Sequence, residues 1–136
     1  MKQLDLFQPT LSTTIRDVKS AMNHAIRESG RSRDQVLDSM NEMAARHGIR
    51  LNGRAGLSKD TLEKWLAPDD ETRIPTIKGL TVFCAVLGTL EPFAVMIGLL
   101  GGEVIGGKDI TLLKWARGYQ QTKNLRKEMR RLEDEL

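Results

Sequence analysis

Few residues of this 136-residue chain are spaced for bond-making chemistry. His24 and His47 fall on separate expected helices. The single cysteine, Cys84, lies in an apolar run, where a thiol behaves as a small hydrophobe. No Cys and His cluster has metal-ligand spacing. Asp69-Asp70-Glu71 sets three carboxylates in a row, which reads as a solvated turn before it reads as a cation site. These residues point away from an enzyme and imply neither a cofactor nor a resident metal. What remains is charge suited to a polyanion. Arg50 and Arg54 lie in the glycine-rich loop Gly48–Gly56, with Arg46 just before it. Ser32 and Arg33 open one helix, and Ser58, Lys59, Asp60, Glu63 and Lys64 mark one side of another. The loop Gly48–Gly56 reads either as a solvated charged connection or as one that grips phosphate through its arginines.

The element that must present these groups is the stretch Gly56–Pro68. Ser58 is a good N-cap, because its hydroxyl can accept an amide that no helical carbonyl reaches. Leu57 and Leu62 have the spacing of a hydrophobic staple, and Pro68 stops the helix. Leu62, Trp65 and Leu66 then share one face, leaving Lys59, Asp60, Glu63 and Lys64 on the other. So short a helix needs a platform.

Other helices supply it. A first helix is expected from Ser12 or Thr14 to Ser29, capped by Thr14 with Asp17 and closed by Gly30, with Ile15, Val18, Met22, Ala25 and Ile26 turned inward. A second begins at Ser32, with Gln35 completing a capping box, and ends near Gly48. A fourth runs from Thr76 to Leu87, with Ile77, Leu80, Phe83, Cys84 and Leu87 as its apolar positions. The fifth, Glu91–Leu100, is apolar nearly all round and is expected to be central or shared between subunits. The paired glycines of Gly101–Gly107 mark a hinge, with Glu103–Ile105 as a candidate short strand. A last helix starts near Ile110. Along it Trp115, Thr122, Met129 and Leu136 recur every seven residues, with Leu125 and Leu132 as a second seam. The seam suits a homodimer, or packing of the helix back on its own domain.

The organisation is therefore an arm over residues 1–11, a helical domain over 12–100, a hinge over 101–109 and a basic helix over 110–136. Aromatic residues make up 4% of the chain and β-branched alternation is scarce, so the fold class is all-α. The net charge of +3 permits a polyanionic partner. Residues 31–64 carry 7 basic and 5 acidic groups and residues 108–136 carry 8 and 5, whereas 65–107 carry 2 and 5. The Leu80–Gly101 run is apolar, but Glu91-Pro92 and its glycines break it into two buried helices rather than one membrane span. The start Met-Lys-Gln-Leu-Asp has no apolar signal core, so the expected location is the cytoplasm.

Two resemblances sharpen the functional expectation. Gln3-Leu4-Asp5-Leu6-Phe7 resembles the pentapeptide by which bacterial replication and repair proteins dock on the DNA sliding clamp. That resemblance implies contacts from Gln3, Leu4, Leu6 and Phe7; an arm folded onto its own core or onto a dimer mate is the alternative. Ser32–Val36, Leu57–Trp65, Pro75-Thr76-Ile77 and Leu80–Gly88 together resemble the phage-repressor-like (Xre-type) helix-turn-helix domain. Over residues 12–100 this implies a five-helix fold, here with an additional C-terminal helix. Its third helix enters the major groove of double-stranded DNA. By that resemblance Ser58, Lys59, Asp60, Glu63 and Lys64 face bases or nearby phosphates, and Ser32 and Arg33 meet phosphate. The implied function is a small bacterial or phage transcriptional regulator. Two features depart from the family pattern: the long Gly48–Leu57 connection, and the carboxylates of Asp60 and Glu63, which accept from cytosine amines but repel phosphate. The competing expectation is a helical adaptor that docks a replication partner such as the clamp without reading DNA sequence.

Overall fold

The computed structural model of the chain describes residues 10–52 and 56–136. Six α-helices account for most of them, and no strand forms among the described residues. They are α1 (Thr14–Ser29), α2 (Arg33–Arg46), α3 (Lys59–Leu66), α4 (Ile77–Leu87), α5 (Glu91–Leu99) and α6 (Lys108–Asp134). The described residues divide into two compact units, with the boundary between Val104 and Ile105. No described helix is long and apolar enough to cross a membrane.

In the first unit α1 runs against α5 and α2 against α4, while α3 touches both α1 and α2. Val18, Met22 and Ile26 of α1, Val36 and Met40 of α2, Leu62, Trp65 and Leu66 of α3, and Leu80 and Phe83 of α4 form one buried cluster. The side chains recur at helical spacing, so each helix contributes one stripe to a shared centre. Gly30 and Gly88 close α1 and α4 with φ of 70° and 63°, the left-handed conformation that glycine adopts without a Cβ penalty.

Several expectations are corrected. The cap of the first helix lies earlier than Thr14: a 3₁₀ turn over Leu11–Thr13 precedes α1, and the Thr13 hydroxyl accepts from the Thr10 amide at 3.0 Å. Asp17 instead accepts from that hydroxyl at 2.7 Å. Of the two positions expected for helix α5, central or shared between subunits, the first does not hold. Only Pro92 is buried, because the helix lies on α1 along one side and leaves the other open, with Ile97 exposed. Ile77 was expected inward but is 83% exposed, since it starts α4 just outside the core. Glu103–Ile105 forms no strand and is irregular. The last helix begins two residues before Ile110, at Lys108.

Candidate nucleic-acid interface

Helix α3 is only eight residues long, and five separate devices hold it in place. At its N-terminus the Ser58 hydroxyl accepts from the Thr61 amide at 3.2 Å. Just before the cap, Asn41 of α2 clamps the incoming chain. Its side-chain amide donates to the Leu57 carbonyl at 3.0 Å, and its carbonyl accepts from the Leu57 amide at 2.6 Å. Along its length, Leu62, Trp65 and Leu66 are buried, and Gly79 of α4 leaves room for the indole: a Cβ there would lie 2.4 Å from Trp65.

At the C-terminus a buried lysine takes over. Lys19 of α1 is fully buried, and its ammonium donates to the carbonyls of Lys64 and Ala67 at 3.0 Å, of Arg73 at 2.6 Å, and of Asp70. Asn23, one turn further along α1, donates to the Leu66 carbonyl at 2.7 Å. A helix C-terminus leaves carbonyls without intrahelical donors and carries partial negative charge. An ammonium at that point satisfies both demands. Burial pushes the Lys19 ammonium below the ordinary lysine value, and the carboxylates of Asp70 and Glu71 offset only part of that lowering.

The opposite side of α3 faces solvent and meets the first turn of α2. Arg33 pairs with Glu63 and also donates to Asn23 Oδ1 at 3.0 Å. Lys59 pairs with Asp34 at 3.1 Å, and Lys64 with Asp60 at 3.0 Å one turn back along α3. Ser32 caps α2 by accepting from the Gln35 amide at 3.1 Å, while Gln35 accepts in return from the Ser32 amide at 2.8 Å. Two capped helix N-termini and three cations therefore share one surface. Beside it lies an open hollow of about 370 Å³ edged by Arg27, Arg33, Asn23 and Glu63.

Of the sequence-derived site, Ser32, Arg33, Ser58, Lys59, Asp60, Glu63 and Lys64 belong to these two adjoining helices. Arg50 is exposed in the α2–α3 connection. Arg54 lies outside the described residues, as do Gln3, Leu4, Leu6 and Phe7. Asp34, Asn23, Asn41 and Lys19 escaped sequence reasoning. An exposed aspartate in a first helical turn looks like ordinary dipole compensation, and nothing local marks an Asn or Lys whose partners lie far along the chain.

The three cations balance three carboxylates, so this surface carries no large excess of positive charge. Exposed ion pairs are worth about 0–1 kcal/mol each and exchange readily with other anions. A phosphate can displace a carboxylate here, at a cost in net attraction. Helix α6 has a different pattern: among the described residues Lys123, Arg126, Lys127 and Arg130 make no ion pair, whereas Arg131 is held by Glu128 and Glu135. No group of His, Cys, Asp and Glu among the described residues is placed to hold a metal ion. Cys84 is buried, and desolvation pushes its thiol up to about 11, so it stays protonated and unreactive near neutrality. No protein-family model, curated protein or solved structure matches the chain.

Proposed function

We propose that this protein binds double-stranded DNA, presenting α3 to the major groove as a small transcriptional regulator of the cytoplasm. The observation that carries the reading is the mounting of α3. A short helix with one buried face is fixed at its start by Ser58 and Asn41 and at its end by Lys19 and Asn23. Its free face adjoins the capped N-terminus of α2. A rigidly held helix with a polar outer face and a second helix N-terminus beside it is what groove reading with backbone anchoring needs. In this reading Ser32 and Arg33 meet phosphate through the amides and charge of the α2 start, Lys59 and Lys64 flank the groove, and Asp60 and Glu63 face bases. A homodimer would set two copies of α3 about 34 Å apart, one duplex turn.

Because carboxylates offset each cation, random-sequence affinity falls at the weak end of the usual range, about 10⁻⁴ M near physiological salt. The test is titration of the full chain into random duplex at several salt concentrations. Log affinity that falls linearly with log salt supports the reading, and the absence of any salt-dependent binding refutes it. The pentapeptide Gln3–Phe7 favours a second reading, an adaptor that docks the bacterial sliding clamp. Clamp capture abolished by Leu6→Ala with Phe7→Ala, in a protein that does not bind duplex, would select it.

A further inference from the structure

Helix α6 exposes a row of large apolar side chains: Trp115 at 65%, Leu125 at 65%, Met129 at 59% and Leu132 at 49%. Trp115 and Tyr119 stack on each other with ring centroids 5.7 Å apart. In heptad terms Trp115, Thr122, Met129 and Leu136 hold one seam position, a, and Gly118, Leu125 and Leu132 hold the other, d. The residues beside the seam decide which way a partner helix runs.

In a parallel pair like seam positions face each other, so Gly118 would meet Gly118 of the partner subunit and leave a void. Each Glu128 would also lie against the partner's Glu133, a like-charge contact on both sides. In an antiparallel pair a meets d. Trp115 then faces the partner's Leu132, Thr122 faces the partner's Leu125, and Met129 fills the space left by the partner's Gly118. The flanks agree with this register. Lys114 meets the partner's Glu135, and Arg126 lies beside the ring of the partner's Tyr119, a cation–π arrangement. Gly118 has no packing reason within its own helix, since a Cβ there would meet nothing within 4 Å among the described residues. Shifting the antiparallel register by one heptad toward the C-terminus would set Arg126 against the partner's Arg126 and Glu128 against the partner's Glu128.

We propose that α6 pairs with α6 of a second copy of this chain as an antiparallel coiled coil, in the register that seats Met129 against the partner's Gly118. The pairing rests on the homodimer of the reading above and not on its DNA-binding part. At 1.5 Å per residue it sends the two Lys108 ends to opposite ends of a rod, about 46 Å apart along its axis.

Two full-length variants, Gly118→Cys and Met129→Cys, each in a Cys84→Ala background, test the orientation by oxidation alone and in equal mixture. The expected result is a disulfide dimer in the mixture only, because two copies of residue 118 lie about 16 Å apart along this rod. Self-cross-linking of Gly118→Cys alone would show a parallel pair and overturn the proposal while leaving the homodimer intact. Sedimentation of the unmodified protein as a monomer at tens of micromolar would overturn both. As an independent arm, Lys114→Glu should weaken the dimer about tenfold, and adding Glu135→Lys should restore it. Indifference to that exchange would count against the register.

Discussion

Lys19 sits on the inward stripe of α1, where helical spacing calls for an apolar side chain, and it ends among four backbone carbonyls. A buried ammonium is costly unless its hydrogens are all accepted. Here three N–H groups are shared among four acceptors drawn from the end of α3 and the connection to α4. Lys19→Met keeps the length of the side chain and removes every one of these bonds. Bonds to charged donors contribute about 1.5–3 kcal/mol each and do not add fully, so the expected loss is about 3 kcal/mol in denaturant unfolding. An unchanged midpoint would mean the carbonyls find water at no cost. The second residue-scale device is His24 of α1, whose Nδ1 lies 2.8 Å from Glu91 of α5. The hydrogen bond to Glu91 raises the His24 pKa above 6.5. The folded protein thus holds this proton more tightly than the unfolded chain does. The contribution is fully present below pH 6.5 and is lost as pH rises through the folded value. Glu91→Gln should return the His24 titration, followed by NMR, toward 6.5 and remove that pH dependence. A titration unmoved by the substitution would show that the pair does not form.

At the scale of elements, the contact between α3 and α4 depends on one glycine. Gly79 lies inside α4, where alanine would ordinarily stabilise a helix by up to about 1 kcal/mol. Its Cβ, however, would stand 2.4 Å from the Trp65 ring. Overpacking of this kind costs about 1–3 kcal/mol, so Gly79→Ala should lower stability despite its better propensity. Gly98 of α5 is the contrast, since among the described residues a Cβ there meets nothing within 4 Å. Gly98→Ala should raise stability by several tenths of a kcal/mol. If both substitutions stabilise alike in chemical denaturation, Trp65 does not pack on α4 as described. The short α3 was legible in the sequence because all its signals are local: the Ser58 cap, the Pro68 stop, and Leu62, Trp65 and Leu66 one turn apart. The position of α5 was not. Its composition is apolar all round, and composition alone does not say how many neighbours a helix has. Ile77 failed for a related reason, because periodicity places a residue on a stripe without saying where the core ends.

At the scale of the whole molecule, the same limit separates the legible part of the candidate site from the rest. Ser32, Arg33, Lys59, Glu63 and Lys64 were readable from caps and helical faces. That Arg33 and Lys59 are paired across two helices with Glu63 and Asp34 needed the fold, because those partners are far apart in sequence. Nor did charge counts by segment reveal that these cations are offset while those of α6 such as Lys123 and Lys127 have no ion-pair partner among the described residues. This balance makes a specific demand of the DNA-binding reading. Removing carboxylates from the α3 face should strengthen random-sequence binding, and removing its cations should weaken it. The most direct measurement is the salt dependence of duplex binding for the unmodified chain, for Lys59→Ala with Lys64→Ala, and for Asp60→Asn with Glu63→Gln. Each lost phosphate contact lowers the slope of log affinity against log salt by about one. The account predicts a shallower slope by up to about two for the lysine pair and tighter binding for the amide pair. Identical slopes and affinities in all three proteins would contradict it, because α3 would then take no part in holding DNA.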